Sequence, residues 1–277
     1  MTKKICTVKD HLVSGETFDI LWDKTRGFAK TDPQPSEKKL GSYYNSNNYI
    51  SHKKGPSLFG LVYGIARSQM FRIKTRMFKK KIFDKDSILD YGCGTGDFLK
   101  YASQSYKVYG VETNLGARNQ AVKKGLLVVD CWEKLPNIKF DLISLWHVFE
   151  HVLDLEGCIN EFNQRLNKGG FLLIAVPNLN SYDAKHYKEY WAAYDAPRHL
   201  WHFSQTGIIT LMESKGFQLI AKHPLILDAL YISYLSEKHK GVYFPMIKGL
   251  LKGFFSNFKA RKSGEYSSLV YLFKTRN

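Results

Sequence analysis

Residues 87–112 read SILDYGCGTGDFLKYASQSYKVYGVE. Ser87 to Tyr91 forms a short apolar run of strand character, broken at Gly92, Gly94 and Gly96. Glycines there let the backbone turn sharply and approach a ligand closely. A helix from about Asp97 aims its N-terminal amides at that turn, and Val108 to Val111 returns as a parallel strand ending at Glu112. Glu112 lies 20 residues after Gly92, the distance at which an acid in such a unit accepts hydrogen bonds from ribose hydroxyls. The stretch therefore has the chemistry of a nucleotide-type cofactor site.

Spacing discriminates between cofactors. A dinucleotide fingerprint needs G-x-G-x-x-G, and Asp97 occupies the position of its third glycine, which disfavours NAD. Asp90, Gly92, Gly94 and Gly96 instead make D-x-G-x-G-x-G, which resembles the first motif of the class I S-adenosylmethionine-dependent methyltransferases. The resemblance runs in family order from about residue 40 to the end. Val128 to Trp132 is similar to the loop after strand three that flanks the adenine, and Phe140 to His147 (FDLISLWH) to strand four, continuing as HVFEHVLD. Gly169 to Asn178 is similar to the turn and strand five. Pro197-Arg198-His199-Leu200 followed by His202-Phe203-Ser204 resembles the P-x-H-L-x-x-F-S stretch of the ubiquinone-type and polysaccharide-type subgroup.

The resemblance implies a doubly wound α/β fold with a mostly parallel seven-stranded sheet, and S-adenosylmethionine as cofactor with S-adenosylhomocysteine as product. Its implied cofactor contacts are Asp90, Tyr91, Gly92, Cys93, Gly94, Gly96, Glu112, Thr113, Asp130, Cys131, Trp132, Trp146 and His147, with Tyr44 from an N-terminal arm folding over them. His147 is expected beside the methyl-bearing end, and His151 to anchor the loop. The two stand at i and i+4, so a helical segment places them on one face. Val148 occupies the glutamate position of a zinc-protease H-E-x-x-H, which removes that metal reading. His147 and His199 are the candidate catalytic groups, since a hydroxyl acceptor gains from a base and histidine suits that task. Asp195, Arg198 and His202 are the candidate acceptor contacts. Arg198 can clamp a carboxylate or phosphate, or equally fix its own loop.

Around this centre, 277 residues at 44% hydrophobic can bury a full core. Residues 1–54 read as a polar, aromatic lobe broken at Thr31-Asp32-Pro33-Gln34-Pro35, with Tyr43, Tyr44, Tyr49 and His52 in an aromatic arm; residues 55–277 read as the cofactor-binding domain. Cys6, Asp10 and His11 sit where the resembled subgroup often carries a small zinc module, but Trp22, Asp23, Thr25 and Arg26 replace the second ligand pair, so a degenerate, metal-free lobe is expected. Cys6, Cys93, Cys131 and Cys158 lack C-x-x-C pairing and read as free thiols. The N-terminus lacks a signal-peptide core and no apolar run approaches the ~20 residues that span a bilayer, which predicts a cytoplasmic protein.

A net charge of +16 raises an anionic partner: nucleic acid, a phosphorylated sugar carrier or a membrane surface. Its sharpest cluster, Arg72 to Lys81, reads as the solvated face of an amphipathic helix over 58–82. An insertion at about 227–266, before the last strand, ends in a basic amphipathic run from Met246 to Lys262, expected to cap the substrate site or pack by its apolar face, with peripheral membrane contact as the alternative. The activity expected is methyl transfer to a small or carrier-linked acceptor, an oxygen of a glycan or polysaccharide precursor being favoured. A nucleic-acid methyltransferase is the rival, weakened because Trp146-His147-Val148-Phe149 stands where N-P-P-Y or D-P-P-Y is needed. A catalytically silent scaffold would show erosion of the glycine turn or ribose acid, and neither is eroded.

Overall fold

A computed structural model describes residues 2–44 and 69–276. Tyr49, His52 and the expected helix residues Leu58, Leu61, Val62 and Ile65 lie outside the described residues. Within them, residues 69–76 are helical and 77–80 form turns, so the helix expected over 58–82 ends earlier.

The centre is a seven-stranded sheet built from β4 (Ser87–Tyr91), β5 (Lys107–Val111), β6 (Leu127–Val129), β7 (Phe140–Trp146), β8 (Leu166–Pro177), β10 (Phe217–Pro224) and β11 (Ser268–Thr275). Their spatial order is β10-β11-β8-β7-β4-β5-β6, with β11 antiparallel to both its neighbours and the other pairs parallel. Order reverses at β4, with β5 on one side and β7 on the other. In open α/β sheets ligands bind at that switch point, outside the carboxyl ends of the strands.

Alternate residues feed two apolar layers, as the two-residue period of a strand requires. Leu89, Ile143, Leu145, Leu172 and Ile174 pack with Phe162 of α3 (Leu155–Arg165) and Met212 of α5 (Gln205–Ser214). Ile88, Leu142, Leu173 and Ala175 pack on the other face with Phe78 and with Phe98 of α1 (Asp97–Ala102). The helices between, α2 (Leu115–Lys123) and α4 (Tyr182–Tyr187), start at side-chain caps, Asn114 on Ala117 N–H and Ser181 on Ala184 N–H. Ser204 likewise caps α5, accepting from Gly207 N–H.

Residues 2–32, read in the sequence as part of a polar, aromatic lobe, are largely strand. They form an antiparallel sheet of β1 (Thr2–Lys9), β2 (Thr17–Asp23) and β3 (Phe28–Asp32), completed by β9 (Trp201–His202) from beyond the main sheet's β8. Val8, Phe18, Ile20 and Tyr43 share a core with Tyr187, Trp191 and Tyr194. The expected insertion is a helical hairpin, α6 (Ile226–His239) and α7 (Pro245–Ser263). Among the described residues no helix is long and apolar enough to cross a membrane. All four cysteines are free.

Candidate active site

The glycine turn leaves β4 at the switch point. Gly92, Gly94 and Gly96 all have positive φ, at 74°, 56° and 72°. The three differ in what surrounds them. A Cβ on Gly92 would collide with Val148, and one on Gly96 would lie 2.6 Å from Leu126 and 2.8 Å from Ala121. A Cβ on Gly94 meets nothing within 4 Å. Gly92 and Gly96 thus serve the packing of the turn, whereas Gly94 faces a cradle that a side chain would fill.

Glu112, at the end of β5, closes one wall of this cradle. Its carboxylate accepts from Gly94 N–H at 2.8 Å and Asn114 N–H at 2.7 Å. Asp130 follows β6; Lys134 at 2.8 Å bonds one of its oxygens, while the buried Oδ1 accepts no hydrogen bond. An orphaned buried acceptor is expensive unless a ligand donor completes it. Asp90 is buried and accepts from Ser144 Oγ at 2.6 Å; burial lifts its carboxyl to about 6, opposed by that bond. An open cradle over Gly94, a two-oxygen acid beside it and an unfilled acceptor at Asp130 fit an adenosyl group with ribose hydroxyls and an exocyclic amine.

Other expected contacts sit differently. Trp132 is core rather than an open adenine wall: Tyr91 stacks on it at 4.4 Å and Phe162 meets it edge-on. Burial pushes the Tyr91 phenol and the Cys93 thiol up, so both stay neutral. Cys131 and Trp146 are half-buried and Thr113 is exposed. Tyr44 lies 3.0 Å from His151 Nδ1, bringing the lobe to the loop after β7.

His147 and His151 do not share a helix face, because His147 has φ 57° and only Phe149–His151 forms a 3-10 turn. His147 holds the mouth of the site. Its Nε2 is 2.9 Å from Asp228 of α6 and its Nδ1 3.4 Å from Glu150. Burial opposes its charge, yet the Asp228 and Glu150 carboxylates outweigh burial and raise the imidazole to about 10. Glu150 is 1% exposed with neither oxygen hydrogen-bonded, so protonated His147 is its balancing charge.

Of the three expected acceptor contacts, Arg198 and His202 are buried and Asp195 is half-buried, and each is engaged within the protein. Arg198 is 1% exposed, with its guanidinium bonded to Asp195, to Asp10 at 3.0 Å and to the Tyr43 carbonyl, leaving no fork for a substrate anion. Asp195 is its partner. His202 is buried against Thr31 Oγ1 at 2.9 Å, and burial, reinforced by His199, pushes it down to about 3. His199 turns Nδ1 to the Ala193 carbonyl at 2.8 Å and its ring edge to His151. His151 is held down at about 4, first by burial and then by His199. In the lobe, Cys6, Asp10 and His11 do not converge: Asp10 pairs with Arg198, and His11 stacks on His239.

Sequence reading missed four site residues. Asp228 carried no local signal, being 81 positions from His147. Lys74 lay within the cluster assigned to solvent, yet its Nζ stands 4.1 Å above the Trp146 ring, and burial lowers its pKa against the pull of Asp90 and Asp228. Lys124 braces the back of the glycine turn, bonding Asp97 at 2.6 Å and the Thr95 carbonyl. Arg118 holds the Glu112 carbonyl at 2.6 Å. The first two bring a carboxylate and an ammonium to the mouth of the site, and the last two brace the turn and the end of β5.

A methyltransferase-domain family model matches residues 64–222. An uncharacterized protein of Methanocaldococcus jannaschii is 32% identical over 117 residues, covering 41% of this chain and 45% of that protein, so the match spans less than half of that relative's length. Among solved structures, an S-adenosylmethionine-dependent methyltransferase of Thermotoga maritima is similar at TM-score 0.51 and 19% identity, over 75% of this chain and 89% of that one. A Haloferax volcanii methyltransferase, solved with the Trm112 activator, is similar at TM-score 0.54 and 14% identity, covering 79% and 95%. Coclaurine N-methyltransferase, bound to N-methylheliamine and S-adenosylhomocysteine, is similar at TM-score 0.53 and 14% identity, covering 87% and 82%. These likenesses show the fold, and the family model spans more than half of the sequence: the chain belongs to the methyltransferase-domain family, with the Rossmann-like fold of the S-adenosylmethionine-dependent class I enzymes.

Proposed function

We propose that this chain transfers the methyl group of S-adenosylmethionine to an oxygen of a small or carrier-linked acceptor, a glycan or polysaccharide precursor. The observation that carries the reading is the convergence of Gly94, Glu112 and Asp130 on one rim at the switch point, with a protonatable histidine, His147, at its mouth. When bound, the cofactor supplies an electrophilic methyl on a sulfonium, whose carbon–sulfur bond breaks as the new carbon–oxygen bond forms, the sulfur keeping the electron pair.

The residues' task is then alignment, exclusion of water and removal of the acceptor proton. Gly94 and Glu112 hold the nucleoside, and Trp146 with Lys74 lines the methyl side. His147 is the proposed proton acceptor. Asp228 occupies its Nε2 and holds it protonated. An acceptor hydroxyl that displaces Asp228 removes the largest charge favouring protonation, while Glu150 keeps the ring oriented through Nδ1. His199 remains a proposed positioning residue, acting through His151 and the loop it anchors.

Two results test this. His147→Asn is expected to lower kcat by about 100-fold or more with cofactor affinity unchanged. Asp228→Asn removes a carboxylate that raises the His147 pKa, so the acid limb of the kcat/KM profile, where activity rises as His147 of the free enzyme loses its proton, is expected to move to lower pH. An unmoved limb in Asp228→Asn, measured with an acceptor found by screening glycan precursors, would exclude His147 as the base.

A further inference from the structure

The second helix of the insertion faces the wrong way for a helix packed by its apolar side. The buried face of α7 is Gly249, Gly253, Ser256, Asn257 and Ala260, with the two glycines against α6 and Ser256 donating to Asp183 of α4 at 2.8 Å. The fit is close: a Cβ on Gly253 would lie 2.6 Å from the Ala229 carbonyl oxygen, and one on Gly249 would collide with the Tyr234 backbone. Backbones approach this closely only where side chains are absent. The large apolar residues are therefore turned outward. Ile247, Leu251, Phe254 and Phe258, at spacings of 4, 3 and 4, form one stripe, each about 60% exposed (59%, 65%, 61% and 64%), and Phe244 at 73% extends it by one turn.

Soluble monomers rarely leave so continuous an apolar stripe in water. The charge around it decides what covers it. Lys248, Lys252, Lys259, Arg261 and Lys262 flank the stripe, and the helix carries no acid. Two copies pressed face to face would bring these cations together without partners, and like charges at an interface oppose association. A surface of anionic lipid headgroups over hydrocarbon satisfies both the cations and the stripe.

We infer that α7 is an interfacial docking helix that seats the protein on an anionic bilayer surface, its apolar stripe at the acyl boundary and its lysines among the headgroups. The start of α6 meets α7 where Asn257 Nδ2 donates to the Ile226 carbonyl at 2.9 Å, and there Ile226 (53% exposed) and Leu227 (48%) stand beside Asp228, whose carboxylate meets His147. Docking is thus adjacent to the mouth of the site. The inference stands whichever acceptor is methylated.

The test is flotation of the full chain with phosphatidylcholine vesicles and with vesicles containing phosphatidylglycerol, at low and high salt. Wild-type protein is expected to float with the anionic vesicles and to detach partly at high salt. Leu251→Glu/Phe254→Glu/Phe258→Glu is expected to lose about tenfold or more of its vesicle partitioning. Replacing Lys248, Lys259 and Lys262 by Gln is expected to weaken partitioning on anionic vesicles by about fivefold per residue. S-adenosylmethionine titration of each variant reports folding, since none of these residues touches the cradle. Absence of wild-type flotation, or equal flotation by the triple Glu variant, overturns the inference. So does a light-scattering mass that halves in that variant while vesicles bind neither protein, which would assign the stripe to a second copy.

Discussion

Gly94→Val is expected to abolish S-adenosylmethionine binding in a protein that still folds. The two effects separate because of what surrounds the residue. Nothing lies within 4 Å of its would-be Cβ, so the new side chain starts in open space and extends into the cradle. Its fold cost is that of a β-branched residue at φ 56°, on the order of 1–3 kcal/mol. Calorimetric titration should show affinity reduced by roughly 100-fold or more, equivalent to about 2.7 kcal/mol, while the melting transition falls by several degrees and stays cooperative. Gly96→Val gives the contrast. Its Cβ would press on Leu126 and Ala121, so stability and binding should fall together. Glu112→Ala should weaken binding by roughly 10- to 100-fold, because two charge-assisted acceptors are lost and the Gly94 amide is left without one. Wild-type affinity in Gly94→Val would place the cofactor elsewhere and remove the basis of the functional reading.

The glycine turn was legible because every part of its signal is local. Positive φ demands glycine at fixed offsets, and the acid that closes the cradle sits one strand away in a repeating unit. That the sheet is mostly parallel agrees with apolar runs alternating with helical periods, whereas the spatial order of its strands was not in the sequence. What escaped reading was carried by pairs distant in sequence. The first lobe strand, β1, exposes its lysines and shows one buried position, so the alternation that marks a strand is weak there. The lobe's fourth strand comes from Trp201–His202, about 170 residues away, and nothing within either segment announces the pairing. For α7 the apolar period was visible but gave the wrong face. The rule that a helix buries its large apolar residues failed because Gly249 and Gly253 offered a closer contact. His147 illustrates the same limit at the site. Its identity was readable, whereas its charge state depends on Asp228, which the insertion delivers.

Arg198→Met is expected to destabilise the protein by about 3–5 kcal/mol, because it strands two buried carboxylates. Asp10 and Arg198 are 0% and 1% exposed at the side chain, 188 residues apart, and join the lobe to the loop after β8. Asp195 shares the same guanidinium at 2.7 Å. Burial alone would raise the Asp10 pKa, but the hydrogen bond from Arg198, helped by the Ser14 and Leu12 amides, holds it at about 2. The sign follows from that depression. A carboxylate lowered in the folded state stabilises above its unfolded pKa of about 3.9, and that contribution disappears as pH falls toward 2. Wild-type protein should therefore lose stability on acidification through this window. Arg198→Met, starting lower, should lose less, since its Asp10 is no longer held down by the guanidinium. Urea denaturation at neutral and acid pH measures both slopes. Asp10→Asn combined with Arg198→Met should recover part of the loss, because one stranded charge is gone. An arginine that instead clamped an acceptor anion would give the opposite pattern: unchanged unfolding midpoints at every pH and a raised KM. Finding that pattern would return Arg198 to the site and leave the burial of Asp10 without its counter-ion.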